Sequence, residues 1–158
     1  MNRVIMLIFL VSSFIVSASS QARTMKFTTE LTNYGGSGAY LVLYLTDANG
    51  HYQDTLWVAG KKSKYYKHLR GWTRSAGTKV FSYDGLTGAS KKKGETFTMT
   101  VEVADNLIDS GYQLHMDSAV EDMRENRNDV AVPLSSAGAD KAVSGRGYVE
   151  NFTYTFNE

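Results

Sequence analysis

From Met25 to Glu158 apolar and polar residues alternate with period two in one segment after another, and this restricts the chain to a fold of half-buried β-strands. In "TFTMTVEVAD" Phe97, Met99, Val101 and Val103 fall on one face, with Thr96, Thr98, Thr100 and Glu102 on the other. "NFTYTFNE" repeats the pattern with Phe152, Tyr154 and Phe156 inward. "AYLVLYLTD" carries Leu41, Leu43 and Leu45 opposite Tyr40, Val42 and Tyr44, so both faces are apolar, as in a central strand covered on both sides.

Turn chemistry separates these runs. Asn49-Gly50 after Asp47 is a hairpin signal, and Lys93-Gly94 ahead of Phe97 is a weaker one. Further strands are expected at 26–31, 52–59, 78–83, 112–118 and 129–134. Only "SKYYKHLRGWTR" has helical spacing, with Tyr65, Leu69 and Trp72 or Thr73 on one face, Ser63 as a cap and Gly71 as a poor helix former inside it. "EDMRENRND", residues 121–129, reads as an exposed polar connection. Seven or eight short strands with one short helical insertion define an all-β fold, an antiparallel two-sheet sandwich of immunoglobulin-like type. The single proline, Pro133, and the lack of a repeat or Pro-rich linker leave no sign of a hinge.

Composition bounds what such a sandwich can do. Arg3 precedes an apolar stretch from Val4 to Val16 broken only by two serines, and the small residues Ser17 to Ser20 lead to Ala22. This is the layout of a secretory signal over residues 1–22, removed from a single domain of residues 23–158, which is expected to be periplasmic. The stretch is shorter than the roughly 20 apolar residues of a membrane span. Without Arg3 the 17 Lys and Arg become 16, equal to the 16 Asp and Glu, so no general attraction to nucleic acid is expected. With no cysteine, the domain has no disulfide, thiolate metal site or thiol nucleophile.

The loop that stands out is "DGLTGAS". Gly85 and Gly88 allow sharp turns and close approach, Ala89 keeps the next hydroxyl open, and Asp84 and Thr87 can fold onto nearby amides. Ser90 is thereby presented in front of Lys91, Lys92 and Lys93, whose charge would offset that of a phosphate. The run resembles the acceptor motif of covalently flavinylated FMN-binding proteins, in which the last hydroxyl receives FMN through a phosphodiester. The resemblance implies covalent FMN on Ser90, attached by a separate FAD:protein FMN transferase that uses FAD and magnesium. Serine stands here where threonine is commoner. A plain surface turn is the competing reading, because the same residue types fill ordinary turns.

A second resemblance runs through "YLVLYLTDANGHYQDTLWVAGKKSKYYKHLRGWTR", "DGLTGAS", "GYQLHMDSAVEDMRENRNDVAVPL" and "GRGYVENFTYTF". In this order the segments are similar to domain of unknown function family 2271, predicted periplasmic proteins that occur beside flavin transferases and membrane flavoreductase-like proteins. The likeness implies extracytoplasmic electron transfer, with a membrane flavoreductase-like donor as partner. A tethered flavin needs a surface for its ring, and Trp57, Tyr65, Tyr66, Trp72 and Tyr83 are the aromatic candidates, Trp72 first, although aromatics in small β domains mostly serve the core.

Other constellations are weaker. His51, His68 and His115 have no ligand spacing, and His115 falls on the polar face of the strand that holds Leu114 and Met116. "DANGHYQD" offers Asp47, Asn49 and Asp54 to a cation but lacks the terminal acid of a calcium loop, so a hairpin turn is preferred. Asp117, Glu121, Asp122 and Glu125 could pair carboxylates for acid–base work or ligate a cation, with a solvated loop as the default. The sequence thus reads as an exported flavin carrier, a redox carrier more than a turnover enzyme. The alternative is a cofactor-free ligand-binding or docking sandwich that uses the Trp72 helix, the 84–90 loop and their lysines.

Overall fold

The computed structural model describes residues 21–60, 63–83 and 89–157. Seven strands form two antiparallel sheets. They are β1 (Ala22–Leu31), β2 (Tyr40–Thr46), β3 (Tyr52–Ala59), β4 (Thr96–Ala104), β5 (Gln113–Ala119), β6 (Glu125–Pro133) and β7 (Val149–Phe156). The first sheet has the order β4-β1-β7 and the second β3-β2-β5-β6. The all-β sandwich expected from the alternation is the observed architecture.

The main core lies between the sheets, where period-two side chains from both inner faces meet. Met25, Phe27, Phe97, Met99, Phe152 and Tyr154 come from the first sheet; Leu41, Leu43, Leu45, Leu114, Met116 and Val130 come from the second. The second sheet is also covered on its outer face, by residues 63–83. Tyr66, Leu69, Trp72, Ala76 and Val80 from this layer pack on Tyr40, Val42, Tyr44 and Val58. All seven residues of β2 are therefore buried, as its two apolar faces require.

The layer differs from the expected single helix. It consists of a 3-10 turn (Ser63–His68), one α-helix, α1 (Arg70–Ala76), and a second 3-10 segment (Gly77–Tyr83), with a break at Leu69. Tyr66, not Tyr65, faces the core. The strand expected at 78–83 is part of this layer: Gly77 turns the chain with a φ of +57° and Val80 packs into the outer core. β-propensity reports a fit to a half-buried surface, and here that surface belongs to a 3-10 turn. The polar connection at 121–129 is likewise cut short, because β6 begins at Glu125. The turn at Asn49-Gly50 is as expected, with Gly50 at a φ of +81° and Asp47 Oδ1 accepting from the amides of Asn49 and His51.

Candidate functional site

Ser90 sits at the end of the loop that leads into β4. Ala89 and Ser90 are exposed; Asp84, Gly85, Thr87 and Gly88 lie outside the described residues. The backbone beyond Ser90 is fixed by a two-residue bridge, in which Ala39 N donates to Lys91 O at 2.7 Å and Lys91 N to Ala39 O at 3.0 Å. A Cβ on Gly38 would lie 2.8 Å from Ser90 Oγ and 3.2 Å from Ser90 Cβ, so only glycine leaves room beside this hydroxyl. Lys91 is drawn away from the serine: its ammonium is 3.4 Å from Glu95 Oε1 and 4.7 Å from the centre of the Phe97 ring. Lys92 and Lys93 stay exposed.

The aromatic candidates divide by burial. Trp72 is fully buried, with Tyr66 and Tyr83 against its ring and its Nε1 donating to Thr55 Oγ1 at 2.8 Å. It offers no face to a ligand in this conformation, because the large ring is the main filling of the outer core. Tyr66 is closed in the same way. Trp57 is partly buried and stacks on Phe97, the ring that the Lys91 ammonium covers.

A second polar centre lies on the outer face of the β3-β2-β5-β6 sheet, beside α1. His115 and Asp117 alternate onto this face of β5, next to Tyr44 and Thr46 of β2. Opposite Asp117 the pairing of β5 with β6 shifts, and Asn128 takes a φ of +49°, a left-handed conformation that Asn tolerates better than most residues. This irregularity brings Asn128 N within 2.8 Å of Asp117 Oδ1. Tyr44 Oη donates to the same oxygen at 3.1 Å, and Trp72 N donates to Oδ2 at 3.1 Å. Asp117 is wholly buried, and loss of hydration pushes its carboxyl above the ordinary carboxylate value.

Beside it, Glu125 Oε1 accepts from Gly71 N at 2.7 Å. Two carboxylates from the sheet thus take the free amides at the start of α1, whose cap position is held by Leu69 without a side-chain cap. The acidic run read as a solvated loop is divided accordingly: Asp117 and Glu125 hold the helix, while Glu121 and Asp122 are exposed.

His115 Nδ1 is 2.8 Å from Asn128 Oδ1 and its Nε2 is 3.1 Å from Thr46 Oγ1. Burial lowers the imidazole pKa below 6.5, against the hydrogen bond with Asn128 and the charge of Asp117. Tyr44 has one hydroxyl proton and two acceptors, Asp117 Oδ1 and Asn128 Oδ1. The three histidines stand in separate places, His51 beside Asp47, His68 stacked on Tyr40 and His115 in this network.

Sequence reasoning placed His115 and Asp117 in view but not Tyr44, Asn128, Arg74 or Arg127. The legible signal is a strand whose outward positions read His-x-Asp between inward Leu114 and Met116. Their partners come from chain segments far away, Tyr44 and Asp117 being 73 positions apart.

The fold and its polar centres define a small two-sheet β-sandwich with an aromatic helical layer on one face. The chain belongs to the family described as predicted periplasmic protein (DUF2271), whose sequence profile matches residues 22–151. No curated protein and no solved structure matches it. Among the described residues no helix is long and apolar enough to cross a membrane.

Proposed function

We propose that the protein is exported by residues 1–22 and carries FMN covalently on Ser90, serving as an electron carrier between a membrane flavoreductase-like donor and an extracytoplasmic acceptor. The observation that carries this reading is Ser90 itself, an exposed residue at the end of the "DGLTGAS" run, next to the Ala39 and Lys91 bridge and with its hydroxyl beside Gly38. A serine in that setting fits an acceptor that another enzyme must reach, because the rigid backbone lowers the entropic cost of presenting it. In the transfer from FAD, Ser90 Oγ forms a bond to the phosphorus next to riboflavin, the bond to AMP breaks, and the hydroxyl proton leaves to a base of the transferase.

The tethered flavin supplies the redox chemistry; the chain supplies position and charge. Lys92 and Lys93 are free to face the phosphate, whereas Lys91 is engaged by Glu95. Trp57 replaces Trp72 as the aromatic expected beside the ring system.

Intact mass after export in a host that carries an FAD:protein FMN transferase tests the reading, with Ser90→Ala as control. A gain of FMN less one water in the parent only is expected. An unmodified parent, with the transferase active on a known substrate, overturns the carrier and leaves a cofactor-free binding sandwich.

A further inference from the structure

Beside α1 the outer face of the second sheet is hollowed into a cleft of about 370 Å3, lined by Tyr44, Tyr52, Arg74, His115, Arg127 and Asn128 among others. This is the scale of a small-molecule site. The two cations stand on different elements, Arg74 on α1 and Arg127 on β6.

Arg74 is exposed and has no ion pair among the described residues. Its face of α1 is that of Gly71, three residues earlier, whose missing side chain lets the helix approach the sheet. A Cβ at Gly71 would lie 2.8 Å from Asp117 Oδ2 and 2.9 Å from Arg127 Cδ. The Arg127 stem therefore crosses this gap and brings its guanidinium to the cleft. Among the described residues its one acidic partner, Glu125 at 3.6 Å, is held more closely by Arg70 at 3.2 Å and by Gly71 N. Asp117 also lines the cleft; it is wholly buried, and its oxygens already take three donors, from Tyr44, Asn128 and Trp72. The neutral polar groups His115, Asn128 and Thr46 line the cleft beside it. A cleft with two under-paired guanidiniums, a polar floor and tyrosine rings at its side is complementary to an anion with a small organic body.

We propose that this cleft binds a small organic anion, with its carboxylate or phosphate held by Arg74 and Arg127 and its body against Tyr44 and Tyr52. The proposal is independent of Ser90 and stands whether or not that residue is flavinylated.

Calorimetric titration of the purified protein with citrate, inorganic phosphate and benzoate tests it, with spermidine as a cationic comparison. Saturable one-to-one binding of at least one anion is expected, weakened about tenfold or more in Arg74→Ala and in Arg127→Ala. Arg74→Lys, which keeps the charge but not the fork, is expected to recover only part of it. Citrate or benzoate without phosphate assigns a carboxylate ligand; phosphate alone assigns a phosphorylated one. Arg74 is exposed and unpaired, so its alanine variant should unfold at the parent's temperature, which separates lost binding from lost fold. No saturable binding of any anion, equal binding of spermidine, or binding that both alanine variants leave unchanged overturns the proposal.

Discussion

Asp129 shows how much structure one side chain can hold. It is almost wholly buried, and its carboxylate accepts from the amides of Arg146, Gly147, Tyr148 and Val149 and from the Ser118 hydroxyl. The loop before β7 is wrapped around this charge, and Gly145 supplies the space, since a Cβ there would lie 2.5 Å from Asp129 Oδ1. Asp129→Ala orphans several buried amides at once and is expected to cost about 3 kcal/mol or more in urea unfolding. Gly71 carries a second prediction with a counter-intuitive sign. In a free helix Gly→Ala gains up to about 1 kcal/mol, but here the methyl would collide with Asp117 and the Arg127 stem. Gly71→Ala should lower the thermal midpoint, where the same change at an open helical site would raise it.

His115 gives the third residue-level prediction, one of pH. Its pKa in the folded protein lies below 6.5, so the unfolded chain binds more protons between the two values. His115 therefore contributes stability that is lost as pH falls from 6.5 through the folded value. The charged and titratable groups that line the cleft with it are Asp117, Tyr44, Tyr52, Arg74 and Arg127. Asp117, raised above 3.8, acts in the opposite sense, its contribution falling as pH rises from 3.8 toward its folded value. Unfolding free energy measured against pH in the parent and in His115→Gln separates the two: the variant should lose the decline below 6.5. An unchanged decline would assign it to another group.

At the scale of elements, the 63–83 layer is held by one large ring and two carboxylates more than by helix propensity. A seven-residue helix with no side-chain cap is not stable alone. Trp72 fills the outer core and ties the layer to β3 through Thr55 Oγ1, which also meets Tyr52 Oη at 2.8 Å. Trp72→Phe keeps an aromatic ring but removes this bond, for an expected loss of about 1–2 kcal/mol. Amide hydrogen exchange should quicken across 63–83 more than in β1. Uniform quickening would mean that the layer opens only with the whole domain.

For the whole molecule, β2 ties the two cores together, with Leu41, Leu43 and Leu45 in one and Tyr40, Val42 and Tyr44 in the other. Leu43 faces the space between the sheets and Val42 the aromatic layer. Leu43→Ala should cost about 2–5 kcal/mol and Val42→Ala less, in proportion to the volume removed. Because β2 cannot lose one covering without weakening the other, both variants should shift a single unfolding transition. Fluorescence of a Trp57→Phe protein, in which Trp72 alone reports on the outer core, should give the same midpoint as far-ultraviolet circular dichroism. Two separate midpoints would show that the layer melts first.

Alternation in the sequence pointed to the sandwich, because a period-two apolar face must be buried against another layer, and in a chain with many such strands and one short helical segment most of that layer has to be a second sheet. It identified the inward residues of β4 and β7 and the two-sided burial of β2, which are local properties of a strand. The 78–83 segment failed the same test, because residues suited to a strand pack equally well from a 3-10 turn when a core lies beneath them. The acids were misjudged for a related reason: Asp117 and Glu125 look like surface residues until the fold brings an uncapped helix to them. Ser90 was legible as an exposed hydroxyl in a small-residue turn, whereas its bridge to Ala39 and the space left by Gly38 were not. Seven strands with their faces, and the Ser90 loop, were legible along the chain, since these depend on neighbouring residues. Which charges are buried and where the cleft lies were settled by packing, because those depend on side chains as far apart in the chain as Tyr44 and Asp117, 73 positions.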